Sequence, residues 1–144
     1  MIGGLRPKSL YTVAARSGGG KSFIGLQLVQ HVAELGGRVG YLSLEMTERE
    51  LLKRLISMMQ GVHQGALQNH KLTASGWATV KAAEATIQAL PLEAYDRPGA
   101  RFEDITGFAN ALHRKGDLRL IAIGYLGLVK SPPGSASRQQ DLED

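Results

Sequence analysis

The chain has 144 residues, 43% of them hydrophobic and 21% charged, a length and balance that suit one folded domain with a real core, so that disorder is not the default. Its 17 Lys and Arg against 13 Asp and Glu leave a formal charge of +4, a mild bias that suits either a polyanionic partner or a solvated basic surface, because the basic residues form no run. Cysteine is absent, which excludes disulfides and thiolate metal sites, no apolar leader is visible, and the longest near-apolar run (120–129) is shorter than the roughly 20 residues of a membrane helix, so a cytoplasmic chain with no membrane partner is expected.

Residues 3–8, rich in Gly and Pro, form a turn into a first predicted strand at 9–14, where Leu10, Tyr11, Thr12, Val13 and Ala14 make a short apolar, β-prone run. Next comes Ala15-Arg16-Ser17-Gly18-Gly19-Gly20-Lys21-Ser22, which fits the phosphate-binding P-loop pattern with Ala in place of the first Gly. Three consecutive glycines let the backbone take positive φ and turn its N–H groups inward around a phosphate. Lys21 stands where an ammonium reaches the β- and γ-phosphates of a nucleotide, and Ser22 places a hydroxyl where Mg²⁺ would sit. A helix is predicted from about Lys21 to Leu35, with Phe23, Ile24, Leu26, Leu28, Val29, Val32 and Leu35 at helical spacing, and its N-terminal dipole adds to the same anion site. A strand before and a helix after separate this motif from a Gly-rich turn that merely precedes Lys and Ser. Gly36-Gly37 closes the helix.

Residues 39–44 read as a second buried strand that delivers Glu45 and Met46 at its C-terminal end, where open α/β sheets bind their ligands. Thr47-Glu48-Arg49-Glu50 is a capping box opening a second helix with Leu51, Leu52, Leu55, Ile56 and Met59 on its apolar face; Met58 and Met59 read as core filling. The stretch 61–71 is polar, and the spacing of its His63 and His70 matches no usual metal site. A third helix is predicted over 75–89 with Trp77 and Val80 inside, then a short strand over 92–95 ending at Asp96, a turn at Arg97-Pro98-Gly99, and a fourth helix over 102–115 built on Phe102, Ile105, Phe108, Ala109 and Leu112. Gly116-Asp117 stops it, and 118–123 is the most hydrophobic strand. Strands alternating with helices imply a mostly parallel sheet with helices on both faces, joined by right-handed crossovers: a P-loop nucleotide-binding α/β fold.

Several of these segments, in consistent order, resemble the C-terminal ATPase domain of DnaB-type replicative DNA helicases. They are Gly3-Gly4-Leu5-Arg6-Pro7, Ser9-Leu10-Tyr11, the loop from Ala15 to Lys21, and Ser43-Leu44-Glu45-Met46. The family's strand followed by Asp-Tyr-Leu-Gln-Leu is matched by residues 120–128, and Arg138-Gln139-Gln140 matches the start of its next helix. The resemblance implies a RecA-like motor domain in a homo-hexameric ring around single-stranded DNA, with ATP between subunits and hydrolysis driving unwinding, and with primase or a loader as a further partner. It implies that residues 15–22 bind ATP, that Lys21 holds the phosphates and Ser22 the Mg²⁺, and that Glu45 activates the attacking water. Phosphoryl transfer asks for little beyond positioning and charge neutralisation, so these groups account for much of the catalysis. The competing reading of Glu45 is a surface carboxylate capping the next helix.

The sequence departs from the family at three places. Gly124 stands where the family has the Asp that orders Mg²⁺, Gly127 where it has Gln, and Lys8 where it has Gly. Compared with the family, residues 1–144 read as a partial RecA-like ATP-binding domain, incomplete at the C-terminus just as a fifth helix begins after Ser137, and therefore with an unpaired sheet edge. Two functions are expected to compete: the ATP-binding portion of a helicase motor domain with weakened Mg²⁺ positioning and slow hydrolysis, or a hydrolysis-deficient relative that docks to a helicase ring or loader. A recombinase or circadian-clock-type ATPase fits less well with Ser-Leu-Glu-Met and Tyr-Leu-x-Leu.

Overall fold

The computed structural model describes residues 4–16, 18–62, 64–68 and 72–129. Their order is α1 (Lys21–Glu34), β1 (Arg38–Ser43), α2 (Glu48–Gln60), α3 (Gln64–Gln68), α4 (Ala74–Ala89), β2 (Leu92–Asp96), α5 (Phe102–Arg114) and β3 (Leu118–Gly124), followed by a 3-10 turn, Leu126–Leu128. The helix boundaries follow local chemistry. Gly36 takes φ 83 just beyond α1, the left-handed value that a glycine adopts without strain. Thr47 caps α2: its side chain accepts from the Glu50 N–H, and the Glu50 carboxylate accepts in return from the Thr47 N–H.

The strands form one parallel sheet in the order β2-β1-β3, so β1 is bonded on both sides. Its alternation divides the core in two. Val39 and Tyr41 face a cluster with Leu26, Val29 and Ala33 of α1, Leu51, Leu55 and Ile56 of α2, and Val80, Ala83 and Ile87 of α4. Leu42 and Leu44 belong to a second cluster that includes Ile105 and Phe108 of α5, and Tyr95 stacks on Phe108 with ring centroids 5.3 Å apart. Helices therefore cover both faces, as the strand-helix alternation predicts. The register sets Ser43 beside Asp96 on one side and Gly124 on the other, which brings the carboxyl ends of all three strands level along one edge.

One expectation changes. Residues 9–14 form no strand: they run as exposed, unpaired backbone, with Leu10 88% exposed. β propensity reports how well a side chain fits a pleated, half-buried surface, and here no ladder is built on which that fit could act. For the same reason β3, the most hydrophobic strand, is only half-buried, because it lies at the sheet edge. Finally, the polar stretch after α2 contains the short helix α3, anchored by the buried Leu67. His63, His70, Ser17 and the predicted helix start at 137–140 lie outside the described residues. Among the described residues, no helix is long and apolar enough to cross a membrane.

Candidate functional site

The glycine loop has the backbone its spelling demands. Gly18 and Gly20 take φ 74 and φ 80. At Gly19 a Cβ would stand 2.9 Å from the Arg16 carbonyl oxygen, to which the Gly19 N–H donates over 2.9 Å. Gly20 is also the N-cap of α1, where no side chain caps the helix and no acidic residue occupies the first turn. The positive end of a 14-residue helix is thus left to receive an anion. Lys21 folds its ammonium back onto the loop, donating to the carbonyls of Ala15 at 2.7 Å and Arg16 at 3.1 Å.

Beside the loop lies a cavity of about 620 Å³, lined by residues 18–23 together with Glu45, Met46, Arg54 and Tyr125. Of the residues expected to form the site, Gly18, Gly19, Gly20, Lys21, Ser22 and Glu45 are brought together here, Ala15 and Arg16 contribute the carbonyls that hold Lys21, and Ser17 is outside the described residues. Glu45 is held by the end of β1. The fully buried Ser43 hydroxyl accepts from the Met46 N–H at 2.9 Å, and the Leu44 N–H donates to the Gly124 carbonyl at 2.8 Å. The α2 N-terminus is capped by Thr47 and Glu50, and the Asp96 carboxylate accepts from the Glu48 N–H at 3.1 Å. Capping is therefore accomplished without Glu45, whose carboxylate is left to the cavity.

Two residues of the site were not singled out from the sequence. Arg54 of α2 lines the cavity, yet its Nε is buried and has no hydrogen-bond partner among the described residues. Leaving such a donor unpaired costs about 1–3 kcal/mol, which an anion in the cavity would offset. The available signal was an arginine three residues after Leu51 and one before Leu55, on a helix stripe otherwise apolar. Tyr41 is the second. It is 1% exposed, it packs against Gly25 of α1 and Gly124 of β3, and its hydroxyl lies beside the Ser22 side chain. Burial pushes the phenol above the ordinary tyrosine value; the neighbouring Ser22 hydroxyl and the Arg54 charge oppose this, while the Glu45 charge adds to it. The phenol is therefore uncharged at neutral pH.

A nucleotide's phosphates fit this arrangement, because a side-chain-free cradle, an uncapped helix start, a lysine and an arginine converge on one cavity. A Mg²⁺ site ordered by a carboxylate at the end of β3 does not fit. Position 124 carries no side chain, and Glu45 is the single carboxylate among the described lining residues.

A family model described as the DnaB-like helicase C-terminal domain matches residues 1–144. Replicative DNA helicase DnaB of Geobacillus stearothermophilus is 29% identical over 146 residues, an alignment covering 100% of this chain and 32% of that protein. Replicative DNA helicase DnaC of Bacillus subtilis is 28% identical over 146 residues, with the same 100% and 32% coverage. The chain spans about a third of the length of these curated relatives. Among solved structures, a DnaB-like replicative helicase described with its interactions with primase superposes with a TM-score of 0.75 at 22% identity, covering 84% of this chain and 31% of that one. The ATPase domain of G40P superposes with a TM-score of 0.76 at 22% identity, covering 85% and 45%. These superpositions establish the shared RecA-type ATPase-domain fold.

Proposed function

Because the chain belongs to the DnaB-like helicase C-terminal domain family, we propose that residues 1–144 are the ATP-binding portion of a replicative helicase motor domain. The observation that carries this reading is the convergence of Lys21, the uncapped start of α1, Glu45 and Arg54 on one cavity.

The chemistry follows from the placement of each group. The glycine-loop and first-turn amides of α1 receive the β-phosphate. Lys21 exchanges the carbonyls of Ala15 and Arg16 for phosphate oxygens, trading neutral acceptors for a charge-assisted contact. Arg54 gains the acceptor that its Nε lacks and balances charge at the terminal phosphate. Glu45, at the end of β1, orients the water that attacks in line. With no carboxylate at 124, hydrolysis by this chain is slow.

In the complete protein, ATP turnover would drive DNA unwinding by a homo-hexameric ring on single-stranded DNA in the cytoplasm. The structural neighbour described with primase makes primase the further partner to test. The family match supports this motor reading over a relative that only docks to a ring or loader.

Calorimetry with ATP and with ADP on the wild-type chain and on Lys21→Ala tests the site. Loss of one charged contact, worth about 1.5–3 kcal/mol, predicts a fall in affinity of roughly ten- to a hundredfold. Equal affinities, or no binding by the folded wild type, would overturn the proposal.

A further inference from the structure

The end of β3 and the head of α1 are joined by a side chain from neither. Tyr41 rises from the central strand between two glycines. At Gly25, in α1, a Cβ would lie 3.3 Å from Tyr41 Cε2; at Gly124, the last residue of β3, it would lie 2.6 Å from Tyr41 Oη. The phenol thus fills the space that a side chain at 124 would enter, and any larger residue there must displace a ring that is 1% exposed. Its hydroxyl also lies beside Ser22, which is one turn before Gly25 on α1 and lines the cavity.

Resting on the nucleotide-site reading above, we propose that Tyr41 and Gly124 are a matched pair in which Tyr41 is a positioning residue: its hydroxyl takes the volume and the hydrogen-bonding role of a carboxylate at 124 and orients Ser22. The chain then holds a nucleoside diphosphate through neutral and cationic groups, and Mg²⁺ adds little to its binding.

The volume argument has a direct consequence. A carboxylate introduced at 124 has no room while Tyr41 is present, so Gly124→Asp does not by itself create a metal-dependent site. Shortening residue 41 removes the obstruction, and the two changes together should succeed where either alone fails. Contacting residues couple in this way, whereas distant ones add.

A double-mutant cycle on the whole chain tests this, using wild type, Tyr41→Leu, Gly124→Asp and the double variant. Two readouts are taken: the unfolding midpoint without ligand, and ADP affinity by calorimetry in Mg²⁺ and in EDTA. In wild type the two affinities should agree within about threefold. Gly124→Asp should unfold at lower denaturant than wild type, and the double variant should lose less stability than the two single variants summed. The double variant should also bind ADP about tenfold more tightly in Mg²⁺ than in EDTA. Tyr41→Phe, which keeps the ring and loses the hydroxyl, should weaken ADP binding in EDTA by roughly two- to tenfold, the value of one hydrogen bond, with its midpoint near that of wild type.

Strictly additive stabilities in the cycle would overturn the pairing. Strong Mg²⁺ dependence in wild type, or an unaltered affinity for Tyr41→Phe, would overturn the positioning role. Failure of wild type to bind ADP under either condition would defeat the nucleotide-site reading and the positioning role with it, while the ligand-free stability cycle would still decide whether residues 41 and 124 compete for one space.

Discussion

Met46 donates its backbone N–H to the Ser43 hydroxyl over 2.9 Å, so a fully buried side chain at the end of β1 fixes the turn that presents Glu45. Ser43→Ala removes the acceptor. The stranded N–H costs about 1–3 kcal/mol, and the Glu45 carboxylate loses its fixed position. Denaturant unfolding should show the loss of stability, and ATP turnover should fall more than ATP affinity does. A variant as stable and active as wild type would show that the turn is held by other contacts.

Gly40 is the place where the central strand presses against α5. A Cβ there would stand 2.9 Å from Phe108 Cε1 and would also meet Leu112. Gly40→Ala therefore overpacks the face formed by α5 and should destabilise the fold by about 1–3 kcal/mol. Thermal melts of this variant and of a paired Gly40→Ala, Phe108→Leu variant check it, since the smaller partner should recover part of the loss.

Arg54 gives a prediction of opposite sign for stability and for binding. Arg54→Met keeps an unbranched stem against the helix interface and deletes the unpaired buried Nε. Stability should hold or rise, while ATP affinity falls about tenfold with loss of a charged contact. Calorimetry beside a melting curve separates the two effects. A fall in stability with no change in affinity would make Arg54 a packing residue.

The cap of α2 makes stability depend on pH. The hydrogen bonds from the Thr47 N–H and hydroxyl hold the Glu50 carboxyl below the ordinary carboxylate value, with Arg54 and Lys53 assisting. A depressed folded-state value means that the contribution is fully present above the unfolded carboxylate pKa and is lost as pH falls through the folded value. Unfolding midpoints followed from neutral pH into the acid range should therefore drop less steeply for Glu50→Gln than for wild type. Parallel slopes would show that the cap does not respond to this proton.

Residues 9–14 carry their backbone exposed and outside any ladder, whereas β1 is bonded on both flanks. Hydrogen exchange should find the amides of 9–14 among the fastest of the described chain and those of Val39, Tyr41 and Leu42 among the slowest. Comparable protection in both segments would contradict this arrangement.

Much of this architecture was legible because local rules and tertiary packing agree. The capping box at Thr47 and Glu50, the glycine stop after α1, and the helical spacing of Ile105, Phe108 and Leu112 each specify an element in the sequence around it. The run 9–14 misled because a strand is made by its neighbours, and no pattern within six residues reports whether a neighbour is there. The glycine loop and Glu45 were readable from motif and position. Arg54 and Tyr41 were not, since their significance lies in an unpaired atom and in a contact between residues 41 and 124 that no sequence spacing encodes.

Tyr41, Ser43 and Glu45 occupy alternate positions along and just beyond one strand: the first packs between Gly25 and Gly124, the second locks a turn, and the third offers a carboxylate to the cavity. Because side chains alternate with a period of two, inserting or deleting a single residue within 38–45 would turn part of this series toward α5. Point substitutions at Tyr41, Ser43 or Glu45 each disturb one duty, but a change of length would disturb several at once. The segment should therefore be the least permissive part of the chain to changes of length, however freely its individual side chains vary.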